Sequence, residues 1–175
     1  EIIAVSEHVA EMIKQKYNRT ATVIPNGVAI TDILGESGLL RNFGIEKGKY
    51  ILAVGRFVPE KGFHDLIEAS TRLQGCKDAR TQVDTWKLVI VGRADYEDAY
   101  SKNLKSQAIG RKDIVLTGFL SGQALKELYS HAGLFVLPSY YEGLPIVLLE
   151  AMSYGLSCVV SDIPANREVK LPEDR

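Results

Sequence analysis

The stretch that decides the fold runs from Leu134 to Val160. It opens with an apolar strand, Leu134-Phe135-Val136-Leu137, passes through a loop and continues as a helix, Pro145-Ile146-Val147-Leu148-Leu149-Glu150-Ala151-Met152-Ser153-Tyr154. It closes on a second apolar strand, Cys158-Val159-Val160. Neither strand alternates with polar residues, so neither has a face meant for water. Continuous apolar strands joined by helices belong to a parallel sheet covered on both sides.

The same rhythm extends upstream. Ile114-Val115-Leu116 precedes a helix from Ser121 to Ala132, Leu88-Val89-Ile90-Val91 a helix from Tyr96 to Ile109, and Tyr50-Ile51-Leu52-Ala53-Val54 a helix from Gly62 to Leu73. Before these, Ile2 to Val5 reads as a short strand, Ser6 caps a helix running to Tyr17, and Thr22-Val23-Ile24 is stopped by the turn signal Pro25-Asn26-Gly27. Residues 28–48, with four glycines, read as an irregular linker, residues 75–85 as a polar loop, and Leu171 to Arg175 as a charged end without a structural stop. The expected fold is α/β: a Rossmann-like parallel sheet with helices on both faces.

Composition excludes several functions. The 175 residues suit one domain, or one domain plus pieces of another; 46% are hydrophobic and 25% charged, ordinary for a globular chain with a core. A net charge of −1 gives no global basic field for nucleic acid or an anionic membrane. No apolar run reaches the length of a membrane span. Cys76 and Cys158 share no ligand-type spacing. Cys158 reads as core and Cys76 as part of a polar loop, a pattern that fits a reducing compartment.

In such a sheet ligands bind beyond the carboxyl ends of the strands, so the loops there carry the functional reading. The loop into the 145–154 helix contains Tyr141-Glu142-Gly143-Leu144, and Glu150 follows in the second turn. Pro145 suits the first helical position, where its missing N–H costs nothing. The amides of Gly143, Leu144 and Ile146 are then free to hold an anion at the positive end of the helix dipole. A carboxylate would repel that anion but can accept hydrogen bonds from hydroxyls beside it. A phosphate flanked by polyols is a nucleotide sugar. The alternative is an ordinary capped helix with a surface Glu, and the segment alone leaves both open.

After Val54 comes Gly55-Arg56-Phe57-Val58-Pro59-Glu60-Lys61-Gly62. Arg56 and Lys61 put two cations where the helix dipole opposes them, which a bound diphosphate would compensate. The competing reading is solvated surface charge, with one of them paired to Glu60. The remaining strand ends are Gly92-Arg93 and Gly118-Phe119-Leu120, where Arg93 or Phe119 would face a nucleobase or Phe119 would be plain core. Ser139-Tyr140-Tyr141 lines a sugar pocket, or its tyrosines are half-buried spacers. His8, His64 and His131 read as surface or packed residues, and no His/Cys/Asp cluster has metal spacing. Walker, dinucleotide and nucleophile-elbow motifs are absent.

Taken in order, Gly55-Arg56-x4-Lys61-Gly62 and Glu142-x7-Glu150 resemble the C-terminal, donor-binding domain of retaining nucleotide-sugar glycosyltransferases of GT-B architecture, the group 1 or family 4 enzymes. Ala4-Val5-Ser6-Glu7, Ile24-Pro25-Asn26-Gly27-Val28, Leu88 to Gly92, Thr117-Gly118-Phe119 and Glu150 to Gly155 resemble the family in the same order, over nearly the whole chain. One stretch departs: the family often carries a Gly-Gly pair where this chain has Ser161-Asp162-Ile163-Pro164-Ala165-Asn166-Arg167-Glu168.

The resemblance implies roles. Arg56, Lys61 and Glu142 would be catalytic, the cations on the diphosphate and the carboxylate on donor-sugar hydroxyls. Gly55, Gly143, Leu144, Pro145, Phe119, Leu120 and Arg93 would line the donor site, and Glu150 would take the ribose. The donor would be a UDP- or GDP-sugar, with no cofactor and no metal. Residues 1–27 would end an N-terminal acceptor domain, 28–48 would link, and 49–175 would form the donor domain, cut short at its C-terminus. The acceptor, a sugar, glycan or lipid, would be held by the missing N-terminal domain. The isolated chain would then be inactive, and the full-length enzyme cytoplasmic, with peripheral attachment at the inner membrane face left open, serving glycan, polysaccharide or glycolipid synthesis. A regulatory nucleotide-sugar-binding module and a GT-B-like epimerase are the rival readings.

Overall fold

The computed structural model describes residues 1–29, 31–35, 37–74 and 86–169. The polar loop at 75–85 with Cys76, and the charged end at 171–175, lie outside the described residues. Two short strands, β1 (Ile3–Ala4) and β2 (Thr22–Val23), pair in parallel around helix α1 (Glu7–Tyr17). Helix α2 (Leu39–Asn42) follows. The main sheet holds β3 (Tyr50–Val54), β4 (Lys87–Val91), β5 (Ile114–Gly118), β6 (Leu134–Leu137) and β7 (Cys158–Val160). Between and after them lie α3 (Phe63–Gln74), α4 (Ala99–Ala108), α5 (Gly122–His131), α6 (Ile146–Ser153) and α7 (Pro164–Arg167).

The five strands run in the order β5-β4-β3-β6-β7, every pair parallel. Alternation along β3 divides the core. Tyr50, Leu52 and Val54 pack with Leu128 and Tyr129 of α5 and with Leu148 and Ala151 of α6. Ile51 and Ala53 pack with Phe63, Leu66 and Ile67 of α3 and with Leu104 of α4. A strand buried on both faces therefore needs no polar residue, as its sequence predicts. Each fully buried aliphatic side chain contributes about 1.5–3 kcal/mol.

Four details differ from expectation. The stretch 28–48 is not wholly irregular: α2 forms there, and Leu40 and Ile45 are buried against the β3 face carrying Tyr50. Glu127 of α5 holds that stretch, accepting from Ser37 N at 2.9 Å and from the Ser37 hydroxyl at 2.5 Å. Helix α4 begins at Ala99 rather than Tyr96, because Asp98 and Ser101 form a reciprocal capping box. Cys158 is half-buried on an edge strand and packs against the margin of the core rather than inside it; burial pushes its thiol up to about 11. Pro145 precedes α6 instead of starting it.

The first turn of α1 is fully satisfied. The Ser6 hydroxyl accepts from Val9 N at 3.2 Å, and the Ser6 carbonyl from Ala10 N at 3.1 Å. The Glu168 carboxylate, just past α7, accepts from Glu7 N at 2.8 Å and from His8 N at 2.7 Å. The three first-turn amides without intrahelical partners, those of Glu7, His8 and Val9, are thereby paired, and Ala10 N makes the first intrahelical bond.

Candidate functional site

Strand order sets the position of the site. The chain leaves β3 toward β4 and leaves β6 toward β7, so the loops after these adjacent strands open in opposite directions. A crevice forms at such a switch point. The two loops touch there: Gly62 adopts φ +64, and a Cβ on it would stand 2.3 Å from the Pro138 carbonyl oxygen. Only glycine allows that approach.

Lys61 from the first loop donates to Glu142 Oε1 of the second at 2.6 Å, with side chains only 17% and 10% exposed. The Ser139 hydroxyl donates to the same oxygen at 2.7 Å. Among the described residues, neither Arg56 nor Lys61 pairs with Glu60. Arg56 Nη1 meets Asp95 Oδ2 at 3.0 Å, an exposed contact of the kind that adds about 0–1 kcal/mol. Lysine has three donors and arginine five, so both cations keep donors for a ligand.

Gly143 and Leu144 lead from Glu142 to α6. Pro145 stands at its N-cap with extended backbone (φ −76, ψ 99), and no side chain caps the helix. The expectation of Pro145 inside the first turn is thus off by one position. A proline at the cap offers no side-chain oxygen, so the positive end of α6 is left open.

Beside this, a cleft of about 330 Å³ opens at the ends of β3, β4 and β5, and Gly55, Arg56, Arg93, Phe119, Leu120 and Glu150 are among its walls. The Arg93 guanidinium lies 5.1 Å from the Phe119 ring centroid, a cation–π contact. Phe119 is 61% exposed, so it is not core. Backbone forms the floor: a Cβ on Gly92 would come 1.8 Å from the Gly55 carbonyl oxygen. Glu150 Oε2 accepts from the Tyr129 hydroxyl at 3.0 Å. Burial, then the Glu150 charge, raises the Tyr129 phenol well above its ordinary range. On the other side of Glu150, a second hollow of about 370 Å³ lies between α5 and α6, with Lys126, Tyr154 and Gly27 in its lining.

The fold therefore gathers six of the expected residues in one cleft and pairs Lys61 with Glu142 next to it, with Gly143, Leu144 and Pro145 on the same loop as Glu142. Tyr140 and Tyr141 are exposed rather than half-buried. His64 contacts the Tyr100 hydroxyl at 3.1 Å and the Tyr140 hydroxyl at 3.3 Å, and His131 is buried. Among the described residues no group of three His, Cys, Asp or Glu is placed to hold a metal, and no helix is long and apolar enough to cross a membrane. Sequence reasoning placed Ser139 only in a pocket-lining run, not on Glu142, and missed Asp95, Tyr129 and Glu168. Asp95 was within reach, two residues past Arg93 in the same strand-end loop; the others carry no local signal.

An open, doubly wound parallel sheet with its crevice at the switch point defines the Rossmann-like class of α/β fold. Residues 40–173 match the family described as glycosyl transferases group 1, and the chain belongs to that family. It is 38% identical over 130 residues to the uncharacterized glycosyltransferase MJ1607 of Methanocaldococcus jannaschii, covering 74% of this chain and 31% of that protein. It is 32% identical over 165 residues to the GDP-mannose:cellobiosyl-diphosphopolyprenol alpha-mannosyltransferase of Xanthomonas campestris, covering 93% and 40%. Anabaena Alr3699/HepE, solved in complex with UDP and glucose, shares the fold at a TM-score of 0.79 and 24% identity, over 97% of this chain and 46% of that one. The chain spans less than half the length of each of these relatives.

Proposed function

We propose that the chain is the donor-binding half of a retaining glycosyltransferase that takes a nucleoside-diphosphate sugar. The observation that carries this reading is the Lys61–Glu142 pair at the switch point, beside the uncapped start of α6. A largely buried cation and an open helix end suit the diphosphate, and a carboxylate suits hydroxyls on either side. Residues 1–27 would close the acceptor domain, 28–48 would link, and 49–175 would hold the donor.

The chemistry follows from the residues. Lys61 and Arg56 neutralise charge as it develops on the departing diphosphate, the kind of stabilisation worth about 3–4 kcal/mol of barrier. The amides of Gly143, Leu144 and Ile146 hold a phosphate. Glu142 accepts from donor-sugar hydroxyls. Glu150 uses its remaining capacity on the ribose hydroxyls, and the cleft between Arg93, Phe119, Leu120 and Gly55 takes the base. In a retaining transfer of this type the leaving phosphate receives the acceptor's proton on the same face, so no protein nucleophile is required. The acceptor, a glycan or lipid, belongs to the N-terminal half of the full-length enzyme.

Calorimetry with UDP, GDP, ADP and their nucleosides tests the reading. One diphosphate should bind far more tightly than its nucleoside, and equal weak binding of both would refute the donor site. The isolated chain should transfer no sugar, since acceptor orientation, worth about 7–11 kcal/mol, is lost with the other half. Robust transfer by these residues alone would overturn the split site.

A further inference from the structure

We propose that Ser139 is the positioning residue for Glu142, fixing which carboxylate oxygen faces the donor sugar; this deepens the donor-site reading above and rests on it. Glu142 Oε1 receives two hydrogen bonds, from Lys61 Nζ at 2.6 Å and from the Ser139 hydroxyl at 2.7 Å. Among the described residues no hydrogen bond or ion pair reaches Oε2. A carboxylate with both donors on one oxygen presents the other, with its lone pairs unspent, to an incoming hydroxyl.

The two donors are not equivalent. Lys61 is a charged group on a flexible stem, and a bound diphosphate attracts it. A carboxylate held by Lys61 alone would follow it toward the phosphates. Ser139 cannot leave in that way. It is neutral and 0% exposed, and its own carbonyl accepts from the Ser161 hydroxyl. The Ser161 carbonyl in turn accepts from Asn166 Nδ2 at 2.8 Å, and Asn166 is buried on α7. Ser161 and Asn166 belong to the stretch that replaces the family's frequent Gly-Gly pair. That stretch buttresses Ser139 from behind, and Ser139 keeps Glu142 aimed when Lys61 turns to the diphosphate.

Two measurements on the 175-residue chain test this, each built on Ser139→Ala. The first compares it with wild type by calorimetric titration with UDP, GDP, UDP-glucose, UDP-galactose and GDP-mannose, with thermal melting to confirm that both proteins are folded. Affinity for the sugar nucleotide that binds should fall about tenfold, the size of one lost hydrogen bond to a charged group, while the bare diphosphate changes under about twofold. A loss that is equal for both ligands, as a merely structural role would give, or no loss at all, overturns the proposal. The second repeats the comparison in a Lys61→Ala background, as a pair of ligand-free crystal structures. With the lysine gone, Glu142 should keep its orientation where Ser139 is present and rotate where it is alanine; an unmoved carboxylate in the double variant overturns the proposal. Wild-type chain that binds none of the five ligands refutes the donor site instead, and the ligand-free structures still decide the role of Ser139.

Discussion

Helices α1 and α6 begin close together: a Cβ on Gly143, just before α6, would lie 3.6 Å from Val5 Cγ2, just before α1. Their first turns are finished in opposite ways. The start of α1 is closed by Ser6 and by the Glu168 carboxylate, which arrives from 161 residues away. The start of α6 has proline at its cap and no side chain on its amides. Both ends carry the same partial positive charge. One is neutralised by the chain's own anion, so it serves the fold. The other is free for an anion from outside, with Glu142 on the loop that leads into it and Lys61 brought to Glu142 by the fold.

The comparison breaks most visibly at Lys61. Lys61→Ala should weaken a nucleoside diphosphate about 10- to 100-fold in calorimetry and its nucleoside little, from the 1.5–3 kcal/mol of a charge-assisted hydrogen bond. Arg56→Ala should act in the same direction. If both ligands lose alike, the open end of α6 is not a phosphate site.

Glu168→Ala is the mirror experiment. It should cost about 1–2 kcal/mol in urea unfolding, the range for a lost cap with a favourable dipole interaction, and leave diphosphate affinity unchanged. A variant that unfolds normally but binds diphosphate differently would mean that the closed end of α1 also belongs to the ligand.

A smaller effect sharpens how far the outside ligand extends along α6. Glu150→Gln keeps an acceptor for Tyr129 but removes the charge. A ribonucleotide should lose about tenfold, near 1.4 kcal/mol, and its 2′,3′-dideoxy analogue almost nothing. Parallel losses would make Glu150 structural.

The smallest change is Ser6→Ala, about 1 kcal/mol of stability with no effect on any nucleotide. A drop as large as that of Glu168→Ala would show that the two caps on α1 act as one unit.

The strands were legible because burial on both faces leaves long apolar runs, which periodicity detects without knowing their partners. Helix starts were less so. Tyr96 and Tyr100 sit at helical spacing and draw the start of α4 forward, while the Asp98–Ser101 box sets it later. Pro145 suits either the cap or the first turn, and its φ alone does not choose; the extended ψ of 99 does. The loops of the site were legible through topology, since ligands lie beyond strand carboxyl ends. Pairing within them was not. Lys61 and Glu142 are 81 residues apart, and nothing local to either sequence names the other. The anchoring of Ser37 was hidden for the same reason: Glu127, 90 residues away, reads as an ordinary helix-surface acid until the fold buries it.

Gly92 has a consequence for how such a cleft diversifies. With the Gly55 carbonyl 1.8 Å from where its Cβ would be, no side chain is tolerated at position 92, so variation there is closed and the rim is where the cleft can change. Arg93 and Phe119 stand on that rim with exposed side chains that meet each other rather than the core, so exchanging them leaves the sheet's packing in place. An engineer wishing to test what the cleft accepts would hold position 92 fixed and randomise 93 and 119. The scaffold would survive nearly any draw from that library, leaving selection to act on recognition alone.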